Sequence, residues 1–260
     1  MLLRNRLGSV DVLLLGAGLV AYNNLLNRQL WFNGAPFVPL NLATAAALIA
    51  IALGPLGLDA DAVGLDLSPR GLVLGAVIGC AISVPLFVLA SSTKTARFVA
   101  DERSAGLAGR RLGYQTIVRV PLGTAVLEEV AFRGVLLAAA GGATLGAGVV
   151  SSAAFGLWHI APGLNMLAAN RPGAPTSAKV VFAAGTVVVT TIAGLGLVAL
   201  RIETGNIGAP LALHATLNSL ATLAASRARR RRALQLGVDV DNARERAQPV
   251  DEVFRTHPGR

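Results

Sequence analysis

A chain of 260 residues that is 53% hydrophobic and only 14% charged, with a mean hydropathy of +0.61, is too apolar to cover a soluble globule of its size; a bilayer is its natural solvent. Its net charge of +9 would suit nucleic acid, but the cations gather at the ends of apolar runs and in one cluster, Arg227, Arg229, Arg230, Arg231 and Arg232, with no aromatic side chain interleaved for base stacking. That pattern fits membrane topology and anionic lipid, and it excludes nucleic acid from the expected partners.

The 29 glycines, against 5% aromatics, suit helices whose backbones approach closely, because lipid gives helices no hydrophobic reason to associate. The fold class expected is therefore all-α, a polytopic transmembrane bundle. Roughly 20 apolar residues are needed per span, and about seven runs qualify, within a range of six to eight. The first, 9–27, follows Arg4 and Arg6 as a signal peptide would. It passes into Tyr22-Asn23-Asn24 without a small-x-small cleavage site, so a retained span is expected. The second and third, 37–57 and 71–92, flank an acidic loop, Asp59 to Asp66, that closes on Ser68-Pro69. Cys80, the single cysteine, lies in the third run and reads as a small buried hydrophobe; it allows no intrachain disulfide and no thiolate cluster. A polar segment with Lys94, Arg97, Asp101, Glu102, Arg103, Arg110 and Arg111 follows, as an interfacial helix or loop.

The fourth run, 115–140, contains Glu128, Glu129 and Arg133, and charged groups at bilayer depth cost about 2.5 to 3.5 kcal/mol each on insertion scales. Glu129 and Arg133 are i and i+4, placed to form a charge-assisted pair. Glu128 lies about 100° round the helix, free to face a cavity. A buried ion cluster that locks helices and a cavity-facing general base are equally compatible with these residues alone. The fifth run, 143–162, carries His159 one turn after Phe155; a lone histidine there is more often a hydrogen-bonded core residue than a functional one. The sixth, 178–200, has Thr190 and Thr191, which, like Ser83, can bond their own helix backbone. The seventh, 206–225, places His214 and Asn218 at i and i+4, two hydrogen-bonding groups aimed at one spot. If these spans converge, they hold the inventory for amide hydrolysis: Glu128 to take a proton from water, His159 to position it, and His214 with Asn218 to stabilise the oxyanion.

Positive-inside reasoning puts the basic segment and the arginine cluster in the cytoplasm, with four spans between them. It leaves the acidic loop outside and Arg28 inside, but sets Arg4 and Arg6 outside, against the rule. Residues 1–226 are thus expected to form the transmembrane domain, with the catalytic core at about 115–225, and 227–260 a basic, partly disordered cytoplasmic tail containing Pro249 and Pro258. The location expected is a cell (plasma) membrane.

Three motifs, Glu128-Glu129-Val130-Ala131-Phe132-Arg133 (E-E-x-x-x-R), Phe155-Gly156-Leu157-Trp158-His159 (F-x-x-x-H) and His214-Ala215-Thr216-Leu217-Asn218 (H-x-x-x-N), stand in order, each in its own apolar span. Together they resemble the CPBP (CAAX protease and bacteriocin-processing) family of intramembrane glutamic endopeptidases, which is related to the type II CAAX prenyl endopeptidases. The resemblance covers about 115–225. It implies Glu128 as catalytic base, Glu129 as its companion paired with Arg133, His159 as the water-positioning group and His214 with Asn218 as oxyanion donors. It also implies a peptide or protein substrate, lipidated where the family trims prenylated CAAX ends, and no cofactor. The competing readings are a zinc metallopeptidase, which lacks the H-E-x-x-H helix here, and a non-enzymatic transporter or immunity protein.

Overall fold

The computed structural model describes residues 8–27 and 36–235. Arg4, Arg6, Arg28 and the tail beyond Gln235, with Pro249 and Pro258, lie outside the described residues. Each of the expected apolar runs is occupied by helix, and the described residues contain no strand. In chain order these are α1 (Ser9–Asn27), α2 (Phe37–Leu53), the short α3 (Ala60–Val63), α4 (Pro69–Ser91), α5 (109–139), α6 (Leu145–Trp158), α7 (Ile160–Asn170), α8 (Thr176–Thr204) and α9 (Gly208–Gln235). By length and apolarity α1, α4, the α6–α7 pair and α8 could each cross a bilayer; α2 is apolar but shorter. The expected tail boundary near residue 226 falls inside α9, which continues through the arginine cluster.

Local signals set several ends. Ser68 accepts from Gly71 N at 3.0 Å and Pro69 takes the first position of α4, where its missing N–H costs nothing. Thr144 caps α6 through Ala147 N at 3.2 Å. α8 stops at Gly205, whose φ of 74° is the left-handed conformation glycine adopts freely. α5 is wound with i→i+5 bonding over Gln115–Ala125, which contains Pro121, and again over Glu129–Leu136.

α4 and α9 run parallel at very close range. Gly71, Gly75, Gly79 and Ser83, spaced by four, form the buried face of α4. A Cβ on Gly75 would collide with Ala209 O, and one on Gly79 would lie 2.9 Å from Leu213 O. Further along, Ala90 and Ala96 pack with Ala224 and Ala228. Cys80 is one residue off that face and is exposed, which corrects the buried position expected of it. Ser83 and Thr190 do bond their own helices, to Gly79 O and Thr186 O, each at 2.7 Å. Gly75→Leu is expected to destabilise the protein by about 1–3 kcal/mol through overpacking, read by unfolding in detergent. Gly196→Leu is the control: a Cβ there meets nothing within 4 Å.

The two polar regions gather at opposite ends of the bundle. At one, Ile207 N donates to Gly64 O at 3.0 Å and Arg201 Nη2 to Ala62 O at 3.1 Å, tying the acidic loop to the α8–α9 turn. At the other, Glu102 N donates to Asn170 Oδ1 at 3.0 Å, and Arg229 pairs with Glu102 at 2.8 Å. Burial alone would raise the Asp101 carboxyl, but hydrogen bonds from Arg103 and Asn170 outweigh it and hold the group below the usual carboxylate range. Between the basic segment and the arginine cluster the chain passes along α5, the α6–α7 pair, α8 and α9.

Candidate active site

The core around α5 holds the ionisable groups. Glu129 and Arg133 are both fully buried and pair at 3.1 Å, one helical turn apart. Arg133 also lies over the Phe155 ring, 4.0 Å from its centroid, and its Nη2 reaches Gly194 O at 3.4 Å. A Cβ on Gly194 would lie 3.3 Å from Arg133 Nη2, so the glycine makes room for the guanidinium. Glu129 Oε1 accepts a second bond, from His214 Nδ1 at 2.7 Å. The companion carboxylate thus ties α5 to α9.

Glu128 is 6% exposed. Its Oε1 accepts from Trp158 Nε1 at 3.1 Å, while Oε2 has no hydrogen-bond partner among the described residues. That free oxygen faces two imidazoles: His159 Nε2 at 3.7 Å and His214 Nε2 at 3.8 Å. Both separations are too long for a direct hydrogen bond and short enough for one water oxygen to bond each end. The ring orientations are held from behind. His159 Nδ1–H donates to Phe155 O, which can only accept, at 2.7 Å, and His214 Nδ1–H donates to the Glu129 carboxylate. Each ring therefore turns its Nε2 towards Glu128. Phe155 meets His159 edge-on, with centroids 4.5 Å apart and planes at 68°, rather than face to face.

Glu128, Glu129, Arg133, His159 and His214 are thus brought together from α5, the α6–α7 junction and α9. Asn218 lies one turn beyond His214, partly buried, and its side-chain amide makes no hydrogen bond among the described residues. His159 is not inside a continuous helix, as the expected 143–162 span implied. It stands at a break, with φ −86° and ψ 4°, between α6 and α7. Pro162 explains the break: it has no N–H for the Trp158 carbonyl four residues back, and its ring would strike that carbonyl. Sequence reasoning missed Trp158 as a donor to Glu128, although a tryptophan in an apolar span brings an N–H that needs a partner. Among the described residues no group of three His, Cys, Asp or Glu side chains is arranged to hold a metal ion.

A polytopic helix bundle with a carboxylate and two imidazoles converging at its core has the makings of a membrane-embedded hydrolase. Residues 111–220, somewhat under half of the chain, match the family described as type II CAAX prenyl endopeptidase Rce1-like. The match takes in all three motifs and supports an assignment of this part of the chain to the CAAX protease (CPBP) family. No curated protein and no solved structure matches the chain.

Proposed function

We propose that the protein hydrolyses a peptide bond with a water activated by Glu128. The observation that carries this reading is the uncommitted Glu128 Oε2, faced at 3.7 and 3.8 Å by two imidazole nitrogens whose opposite sides are already bonded. A water bonded to Glu128 Oε2 and His159 Nε2 gives its proton to the carboxylate as its oxygen attacks the scissile carbonyl carbon. The π electrons move onto the carbonyl oxygen, which Asn218 Nδ2 and His214 Nε2 stabilise as donors. For that role His214 carries a proton on each nitrogen, one bonded to Glu129. Collapse of the tetrahedral intermediate breaks the C–N bond, and Glu128 returns its proton to the leaving amine. Trp158 holds the other carboxylate oxygen still while Oε2 does the transfer.

The substrate is a peptide or protein end, lipidated in the manner of a prenylated CAAX sequence. The two basic segments face the cytosol and anionic lipid of a plasma membrane, and neither metal nor nucleic acid takes part. The test is cleavage of an internally quenched farnesylated CAAX peptide by the purified protein in proteoliposomes. Cleavage is expected, at a rate unchanged by 1,10-phenanthroline. Loss of cleavage that added Zn²⁺ restores would replace the glutamate base with a metal-bound water; no cleavage at all would remove the prenyl-peptidase reading.

A further inference from the structure

The helix break at His159 leaves backbone groups without their ordinary partners, and α1 supplies the replacements. In an unbroken helix Ala161 N would donate to Leu157 O. Here the carboxamide of Asn24 sits between them: its Oδ1 accepts from Ala161 N at 2.7 Å and its Nδ2 donates to Leu157 O at 3.0 Å. The Trp158 carbonyl, which Pro162 cannot serve, accepts from Asn23 Nδ2 at 2.9 Å. Asn23 is in turn oriented by Asn27 Nδ2, which donates to its Oδ1 at 3.0 Å. The neighbouring Tyr22 ring stacks on Trp158, with centroids 6.1 Å apart and planes at 27°. These residues share the i→i+5 turn Tyr22–Asn27 at the end of α1, in a region to which none of the three motifs extends.

We infer that Asn23 and Asn24 are positioning residues for the active site. They splice the broken backbone at 157–161 so that the Trp158 indole and the His159 imidazole, on either side of one peptide bond, stay aimed at the two oxygens of Glu128. Unsatisfied backbone groups at bilayer depth would otherwise draw the break towards a regular helix or towards water, and swing both rings off the carboxylate. Displacements near 1 Å in a reacting constellation cost on the order of 10²-fold in rate. The kinetic consequence rests on the hydrolytic reading above; the positioning itself does not.

Two readouts are measured together: kcat and KM on the farnesylated peptide, and the indole ¹⁵N–¹H resonance of Trp158 in a Trp31→Phe background. Asn23→Ala and Asn24→Ala are expected to lower kcat by about 10- to 100-fold with KM within about threefold. Both should move the Trp158 resonance towards its position in Glu128→Ala, where the indole has no acceptor at residue 128. Asn24→Gln keeps both hydrogen-bonding groups, and with them the fold, but displaces them by one methylene; an intermediate fall and an intermediate shift are expected. A fall in kcat with an unmoved resonance would show that the asparagines affect the rate without positioning the indole, and would overturn the inference. So would a moved resonance with wild-type kcat, or no change in either. Should the wild-type protein leave the peptide uncut, the peptidase reading fails and the resonance alone decides whether the asparagines position the indole.

Discussion

Glu128→Gln is expected to lower kcat on the farnesylated peptide by about 10²- to 10⁴-fold, the usual contribution of a positioned general base, while the protein keeps its fold. Glutamine is nearly isosteric, and its carbonyl oxygen can still accept the Trp158 N–H that Glu128 Oε1 receives at 3.1 Å. The other end becomes an amide that cannot take a proton from water. KM should move little, because the side chain is 6% exposed and offers slight surface for binding the rest of a peptide. Unfolding in detergent should give a midpoint close to wild type. Equal cleavage by both proteins would remove Glu128 from the reaction. Loss of cleavage together with loss of fold would assign it to the buried ion cluster that the sequence allowed on equal terms.

The second large effect is on stability. Arg133→Leu is expected to cost about 3–5 kcal/mol, because it leaves the Glu129 carboxylate buried without its cation. Both side chains have no solvent exposure, so no water can move in to replace the guanidinium without opening the core. The double variant Arg133→Leu with Glu129→Leu should recover most of this, since removing both members of a buried pair is often close to neutral. Recovery should fall short by about 1–3 kcal/mol, the cost of leaving His214 Nδ1 without the acceptor it holds at 2.7 Å. Full recovery would show that the bond from His214 adds nothing to stability. Simple additivity of the two single changes would show that the pair is not coupled.

Much of the framework was legible in the sequence because lipid imposes simple rules. Apolar runs of spanning length gave the helices, and the cost of buried charge singled out Glu128, Glu129 and Arg133. The i,i+4 spacing of Glu129 and Arg133 is a local rule, and the pair is observed. Convergence of α5, the α6–α7 junction and α9 was expected only conditionally, since spacing along one helix says nothing of its neighbours. The misreadings have equally physical sources. An apolar run predicts a buried Cys80, but in α4 the packed face is the smallest one, Gly71 to Ser83, and larger side chains such as Val73, Val77 and Val84 face outward. The break at His159 was written in Pro162, which the span 143–162 had absorbed as its end. Asn23 and Asn24 were read as the close of the first run, since their partners stand 135 and 133 residues away and nothing local announces them.

That separation has a consequence for how the chain is made. Synthesis proceeds at about 5–20 residues per second, so the 135 residues between Asn23 and the Trp158 carbonyl represent roughly 7 to 27 s. During that interval the first helix has reached the membrane while the backbone that its carboxamides will serve has yet to leave the ribosome. Its amides must meanwhile find other company at the insertion machinery or near the headgroups, and the half of the protein that carries Glu128 and His159 reaches its final geometry only when α1 is allowed to settle.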